Sequence, residues 1–268
     1  EPALLTERDA DKSPVLECID LGITFGGLKA VDNFNVTIGR TEITGLIGPN
    51  GAGKTTVFNL LTKVYQPTHG TILLNGKDIH DLNTAQVNRA GIARTFQNIR
   101  LFGELSVEEN ITVAMDTQMH YTMPEGIFRL PRFWKEERIV HERAMELLSI
   151  FHMEDLAKAK ASSLPYGAQR RLEILRALAT NPSLLLLDEP AAGMNPSETA
   201  ELMENIRSIR DTFKIAVLLI EHDMNLVMNI CEGIAVLNFG HVIAKGTPED
   251  IQNNPEVIEA YLGKQKEA

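Results

Sequence analysis

Cysteine is scarce in this chain. Cys18 and Cys231 stand far apart and form no C-x-x-C pair, which excludes a disulfide framework and fits free thiols in a reducing cytosol. Cys231 is expected on the apolar side of a helix. Positive charge is short as well: 26 Lys and Arg face 36 Asp and Glu, a formal net charge of -10. That balance argues against holding nucleic acid through bulk electrostatics. Long hydrophobic runs are missing too. Leu184 to Leu187 and Ile215 to Ile220 are strand-length and far short of a membrane span, so no direct membrane insertion is expected and any link to a membrane goes through a partner protein. Residues 1–13 are polar, read as a flexible tail without the basic start and apolar stretch of a signal peptide. No internal repeat or low-complexity linker is found. What remains is ordinary globular composition, 44% hydrophobic and 23% charged over 268 residues, enough to bury a sizeable core.

The most informative stretch is Gly48-Pro49-Asn50-Gly51-Ala52-Gly53-Lys54-Thr55-Thr56. It matches G-x-x-x-x-G-K-S/T, follows an apolar run ending at Ile47, and precedes Val57, Leu60, Leu61 and Val64 at helical spacing. Strand, loop and helix therefore follow in the order a phosphate loop needs. Glycines let the backbone curl until successive N–H groups and the helix N-terminus converge on one polyphosphate. In that geometry Lys54 reaches the β- and γ-phosphates and the Thr55 hydroxyl ligates Mg²⁺.

Around the loop, Val15 to Phe25 and Asn33 to Ile38 read as strands flanking Gly26-Gly27, and Thr41 to Ile47 as the strand delivering the loop. Phe25 is either a core residue or a platform for an adenine ring. Thr71 to Ile79 reads as a hairpin turning on Asn75-Gly76, and Arg94 to Asn98 closes another short strand. From Leu101 to about Thr180 the signals turn helical, with a stripe of Val140, Ala144, Leu147, Leu148 and Phe151. This predicts a helical subdomain over about 101–180 inserted into a single domain over 14–268. Thr117 to Lys135, rich in Met119, Tyr121, Met123, Phe128, Phe133 and Trp134 but without a period, reads either as a partner-docking segment or as a surface loop folded on its own helices.

Leu184 to Leu187 ends in Asp188-Glu189-Pro190, the form of a strand buried on both faces of a parallel sheet and presenting acids at its C-terminal edge. Beside a phosphate loop, Asp188 is the expected Mg²⁺-organising carboxylate. Glu189 is placed to polarise a water for attack on the γ-phosphate. Asn195, Pro196 and Glu198 read as cap, first helical residue and capping-box partner of a helix striped by Leu202, Ile206, Ile209 and Phe213. Ile215 to Ile220 repeats the strand-then-polar arrangement in Glu221-His222-Asp223, where His222 is structural or functional. Ile234 to Phe239 and His241 to Ala244, with short helices at Thr247-Pro248 and Asn254-Pro255, complete the chain.

These motifs, in this order, resemble the nucleotide-binding subunits of ABC transporters. The stretches that carry the resemblance are 48–56, Arg94-Thr95-Phe96-Gln97, Leu164-Pro165-Tyr166-Gly167-Ala168-Gln169-Arg170-Arg171-Leu172-Glu173-Ile174, Leu186 to Pro190 and Ile220 to Asp223. The closing Asn254 to Gly263 is similar to the ATPases of branched-chain amino acid importers in particular. The resemblance implies an α/β phosphate-loop NTPase core with an N-terminal antiparallel β subdomain and an inserted helical subdomain. It implies ATP and Mg²⁺ as cofactors. Phe25 corresponds to the adenine-stacking aromatic, and Gln97 to the glutamine that approaches Mg²⁺ and couples the site to a permease. Asp188, Glu189 and His222 correspond to the metal-organising Asp, the catalytic Glu and the switch His. Asn195 falls where an Asp is usual in the loop that crosses to a second subunit. Tyr166, Gly167 and Ala168 belong to the signature loop that contacts the γ-phosphate of the opposite subunit. The implied partners are a second ATP-binding subunit, the same chain or a related one, and integral membrane permeases, with the chain peripheral on the cytoplasmic face of the cell membrane.

The chain departs from the family pattern in two places. Pro165, Tyr166 and Ala168 replace Ser, Gly and Gln of the usual signature, and Pro165 offers neither hydroxyl nor N–H. Lys63 stands where a Gly often ends the first helix, giving up the left-handed cap. Two other readings stay open at this point: a non-transport ATPase of the same superfamily, which usually carries a long coiled coil or tandem cassettes, and a phosphate-loop metabolite kinase, which needs an acceptor pocket and an arginine-rich lid.

Overall fold

Alternating apolar and polar residues set the first strands. The computed structural model describes residues 13–115 and 131–262, and the chain divides into two compact units, one made of its two ends, up to Arg94 and from Ser183, the other of Thr95–Pro182. In the first unit β1 (Leu16–Phe25) and β2 (Leu28–Ile38) form a hairpin across Gly26 and Gly27, at φ 52° and 88°. The second strand thus begins earlier than the sequence suggests, because a two-residue turn lets pairing start at Leu28. The chain continues through β3 (Ile43–Ile47) into α1 (Lys54–Leu61). Next come β4 (His69–Leu74) and β5 (Lys77–Asp78), joined by Asn75 and Gly76, both at positive φ. These strands give an antiparallel sheet of order β2-β1-β4-β5.

The second sheet of this unit runs through β3. After α2 (Thr84–Ala90) come β6 (Ile92–Arg94), β7 (Leu184–Asp188), β8 (Ala216–Ile220), β9 (Gly233–Asn238) and β10 (His241–Gly246), in the spatial order β10-β9-β3-β8-β7-β6. All pairings are parallel except β9 with β10. Every residue of β3, β7 and β8 is buried, as strands covered on both faces require. Leu21 and Phe34 of the first sheet, Leu46 and Leu218 of the second, and Val57 and Phe58 of α1 belong to one core. The phosphate-loop helix is thereby anchored between two sheets.

In the second unit, α3 (Val107–Met115), α4 (Pro131–Ser149) and α5 (Tyr166–Ala179) pack on one another. Ile111, Ala144, Leu148, Leu172 and Leu175 are buried in that unit. The aperiodic segment expected over Thr117 to Lys135 lies largely outside the described residues, and its last part, from Pro131, is already helical. The buried amide of Asn110 organises the turn before α3, donating to the Phe102 and Ser106 carbonyls and accepting from the Phe102 N–H.

The remaining helices belong to the first unit: α6 (Pro196–Phe213), α7 (Met224–Ile230), α8 (Pro248–Gln252) and α9 (Pro255–Leu262). Five local expectations are corrected. Val64 lies beyond α1 and is 51% exposed. Lys63 does adopt the left-handed cap, at φ 56°, with its N–H on Leu60 and the Val64 N–H on the Asn59 carbonyl, the two hydrogen bonds of a Schellman motif. Phe213, expected on the apolar stripe, is exposed, and Phe239 lies beyond the end of β9, in the β9–β10 turn at φ 45°, and is exposed as well. Cys231 is the C-cap residue of α7 and not part of its apolar stripe, though it is buried. Among the described residues no helix is long and apolar enough to cross a membrane.

Candidate functional site

Parallel pairing brings the loops after β3, β8 and β7 to one edge of the second sheet. The register leaves little freedom: Ile220 of β8 pairs with Leu46 of β3 on one side and with Asp188 of β7 on the other. The three turns that follow, starting at Gly48, Glu221 and Glu189, are therefore neighbours.

The first turn is the phosphate loop. A Cβ on Gly48 would lie 2.0 Å from the Leu237 carbonyl oxygen, and one on Gly53, at φ 107°, would lie 2.8 Å from that of Ala30. Neither position admits another residue without moving backbone. The chain closes on itself where the Ala52 N–H meets the Pro49 carbonyl at 3.1 Å. Pro49 and Ala52 are buried while Asn50 and Gly51 are exposed. Gly53 is the N-cap of α1 and supplies no side-chain cap. The first-turn N–H groups, with Thr55 and Thr56 beside them, keep the positive end of the helix available to an anion. Lys54 is buried, and its ammonium donates to the carbonyls of Gly48 at 2.6 Å and Pro49 at 3.0 Å. The lysine is thus held over the loop it would help to fill.

The second and third turns carry the acids and the histidine. The Asp188 side chain is 5% exposed and accepts from Arg94 at 2.8 Å. Arg94 also donates to Asn59 of α1 at 2.7 Å, and its guanidinium stacks over Phe58. Glu189 takes a left-handed backbone at φ 49°, a sparsely populated conformation that surrounding contacts must hold. Its carboxylate lies 2.7 Å from Nε2 of His222. Glu189 and His222 are therefore one hydrogen-bonded pair at the open edge of the sheet, one residue beyond the carboxylate of Asp188. Asn195 caps α6: its side-chain oxygen accepts from the Glu198 N–H at 3.0 Å, and the Glu198 carboxylate accepts from the Asn195 N–H at 2.9 Å.

Phe25 ends β1 and is 44% exposed, with Tyr65 packed edge-on against it at 5.2 Å between centroids. A half-exposed aromatic in such a T-shaped pair keeps at least one face for a planar base. The C-terminal helix also reaches the loop. Burial pushes the Tyr261 hydroxyl up to about 12, and a hydrogen bond with the Gly48 backbone draws it back.

Gln97, Tyr166, Gly167 and Ala168 lie in the second unit. Arg170 joins the first two. Its guanidinium donates to the Phe96 carbonyl at 2.7 Å, to the Gln97 carbonyl, and to the Tyr166 hydroxyl at 2.9 and 3.1 Å. Tyr166 in place of Gly thus has a structural partner: its hydroxyl completes the hydrogen bonding of a buried arginine. Pro165 stands at the N-cap of α5, where a missing N–H costs nothing. The side chain of Ala168 is buried, whereas Pro165 and Tyr166 are exposed and Gly167 is partly so, and these are what the loop presents at the surface. The roles of Arg94 and Arg170 escaped sequence reasoning although both lie within quoted motifs, because an arginine in a motif carries no sign of which carboxylate or carbonyl it will meet.

The ABC transporter family model matches residues 31–192, and that of the branched-chain amino acid ATP-binding cassette transporters matches residues 241–267. The chain is 48% identical over 250 residues to the high-affinity branched-chain amino acid transport ATP-binding protein BraF of Pseudomonas aeruginosa, covering 93% of this chain and 98% of BraF. It is 49% identical to LivG of Escherichia coli at the same coverage. A probable LivG of Archaeoglobus fulgidus is 35% identical over 94% of this chain and 96% of its own length. Among solved structures, the ADP conformation of an ATP-binding cassette of an ABC transporter superposes with a TM-score of 0.80 at 30% identity, over 93% of this chain and 99% of that one. The cradle, the acid pair and these likenesses agree: the chain belongs to the ATP-binding cassette family of ABC transporters, in the branch of the branched-chain amino acid transport ATP-binding proteins.

Proposed function

We propose that the chain is the ATPase subunit energising the uptake of branched-chain amino acids. It would act as one of two cassettes, with a second copy or a related chain, docked against integral membrane permeases at the cytoplasmic face. The observation that carries the chemistry is the Glu189–His222 pair at 2.7 Å, beside the loop that cradles phosphate. The likeness to BraF and LivG carries the solute class. A water oxygen forms a bond to the γ-phosphorus while the bond from that phosphorus to the bridging oxygen breaks, releasing ADP and phosphate. Glu189 takes the water proton, and His222 holds the Glu189 carboxylate and the γ-phosphate in line. Lys54 exchanges its loop carbonyls for phosphate oxygens.

The residues present suit Mg²⁺. The Thr55 hydroxyl and the Asp188 carboxylate are hard oxygen donors, and this ion is commonly held by one or two such groups together with phosphate oxygens and water. Gln97 is the third group the family reading assigns to it. When bound, the ion offsets charge developing on the phosphates. Phe25 stacks on the base. Tyr166 and Gly167 face the nucleotide of the opposite cassette, and Asn195 stands in the loop that crosses to it.

Glu189→Gln should lower turnover by roughly 10²- to 10⁴-fold while nucleotide affinity stays unchanged, whereas Lys54→Ala should weaken nucleotide binding itself. Both are read by phosphate release and by titration with a fluorescent ATP analogue. Normal turnover in the Gln variant removes Glu189 from the role of base. Uptake of labelled leucine by cells that lack and regain the gene tests the solute.

A further inference from the structure

Glu221 lies between the two turns that carry Glu189 and His222, and nothing so far has given it a role. It is 5% exposed. One carboxylate oxygen accepts the Ala191 N–H at 2.9 Å, and the other accepts the His222 N–H at 3.2 Å. The same turns are joined a second time where the Glu189 N–H donates to the Ile220 carbonyl at 2.9 Å. Each N–H belongs to a residue beyond the end of a strand, where the parallel ladder no longer supplies an acceptor.

The placement is costly, and that cost bears on its purpose. Burial pushes the carboxyl of Glu221 upward, opposed by the N–H groups of Ala191 and His222, while the nearby charge of Glu189 pushes the same way as burial. A group buried at such expense for two amide hydrogen bonds is holding backbone in place. The backbone it holds is the one that needs it: Glu189 sits at φ 49°, and Ala191 follows two residues later. Without an acceptor for the Ala191 N–H, the turn 189–191 can relax toward ordinary backbone angles and carry the Glu189 carboxylate away from His222.

We propose that Glu221 is a positioning residue of the hydrolytic site, stapling the turn that bears Glu189 to the turn that bears His222 so that their side chains meet before the nucleotide binds. The role rests on the reading of Glu189 as general base. It acts through geometry, since a displacement of about 1 Å at a reacting group can cost on the order of 10²-fold in rate.

The test compares Glu221→Ala and Glu221→Gln in the full chain, with turnover at saturating MgATP, affinity for a fluorescent ATP analogue and thermal midpoint measured together. The alanine variant should lose about 10- to 100-fold in kcat with nucleotide affinity within about 3-fold of the parent. The glutamine variant keeps one acceptor oxygen and should fall between the two. Parental turnover in both variants overturns the proposal, and so does a loss shared equally by kcat and nucleotide affinity, which marks a merely structural role. Should the alanine variant not fold, the glutamine variant decides by the same criteria, and parental kcat in it overturns the proposal. Glu189→Gln run alongside separates the two readings: if it hydrolyses normally the base assignment fails, whereas a dead Glu189→Gln with a parental Glu221→Ala removes only the staple.

Discussion

Asp188 meets a cation within its own chain. Arg94 and Asp188 are buried to 6% and 5% side-chain exposure at 2.8 Å, and Arg94 is further tied to Asn59 and stacked on Phe58. One residue thereby fixes the carboxylate expected to organise the metal and links it to the helix that begins at Lys54. Truncating one partner of a buried pair leaves the other charge uncompensated, which typically costs about 3–5 kcal/mol. Arg94→Met should therefore lower unfolding stability by that order, and Arg94→Lys by less, because an ammonium keeps the charge but not the forked geometry. Urea denaturation of the three proteins measures it, and a parental midpoint in Arg94→Met would show that the pair contributes nothing net. None of this was readable from the motif around Arg94. The pairing depends on β6 lying beside β7, with Arg94 and Asp188 94 residues apart in the chain, and only the topology brings them together.

At the level of elements, what could be read in advance was whatever the chain encodes locally. The four leucines before Asp188 specify a doubly covered strand, and Gly48 to Thr56 specify their own curl. Asn195, Pro196 and Glu198 specify a helix start, realised as a full capping box. That box makes a clean prediction. Asn195→Ala removes the acceptor for the Glu198 N–H and should cost about 1 kcal/mol of stability, while Asn195→Asp keeps it. Thermal midpoints of both variants check this, and equal loss in both would mean the cost lies elsewhere than in the cap. What resisted reading was everything set by neighbours. Hydrophobic period marks a helix face without saying whether anything covers all of it or where the helix stops, so Phe213 at the end of α6 and Val64 beyond α1 end up exposed. Lys63 takes the left-handed cap despite its Cβ because both Schellman hydrogen bonds and the packing of α1 pull the same way. Its buried ammonium finds no hydrogen-bond partner among the described residues.

Across the whole molecule, the residues assigned to the proposed site come from segments distant in sequence: the loops after β3, β7 and β8 in the first unit supply the phosphate loop, the acids and the histidine, and the second unit, Thr95–Pro182, carries Gln97 and the signature-type loop. The order of motifs was legible because each carries its own chemistry. The staple at Glu221 and the Arg170–Tyr166 contact were not, because they are relations between motifs. The two cysteines offer a probe of how firmly the first unit holds these parts. Cys18 lies in β1, and Cys231 caps α7 with its sulfur 3.0 Å from where a Cβ on Gly45 of β3 would stand, so it packs directly against the strand that delivers the phosphate loop. Burial pushes the Cys18 thiol up to about 12 and raises that of Cys231 as well. At neutral pH almost no thiolate is present, and the thiolate is the species that reacts. The native protein should therefore be inert to Ellman's reagent at pH 8, and both thiols should appear together as urea unfolds the unit, at the midpoint seen by circular dichroism. Reaction of Cys231 ahead of Cys18 below that midpoint would show that α7 opens away from β3 on its own, and that the strand carrying the phosphate loop is covered less tightly than its burial implies.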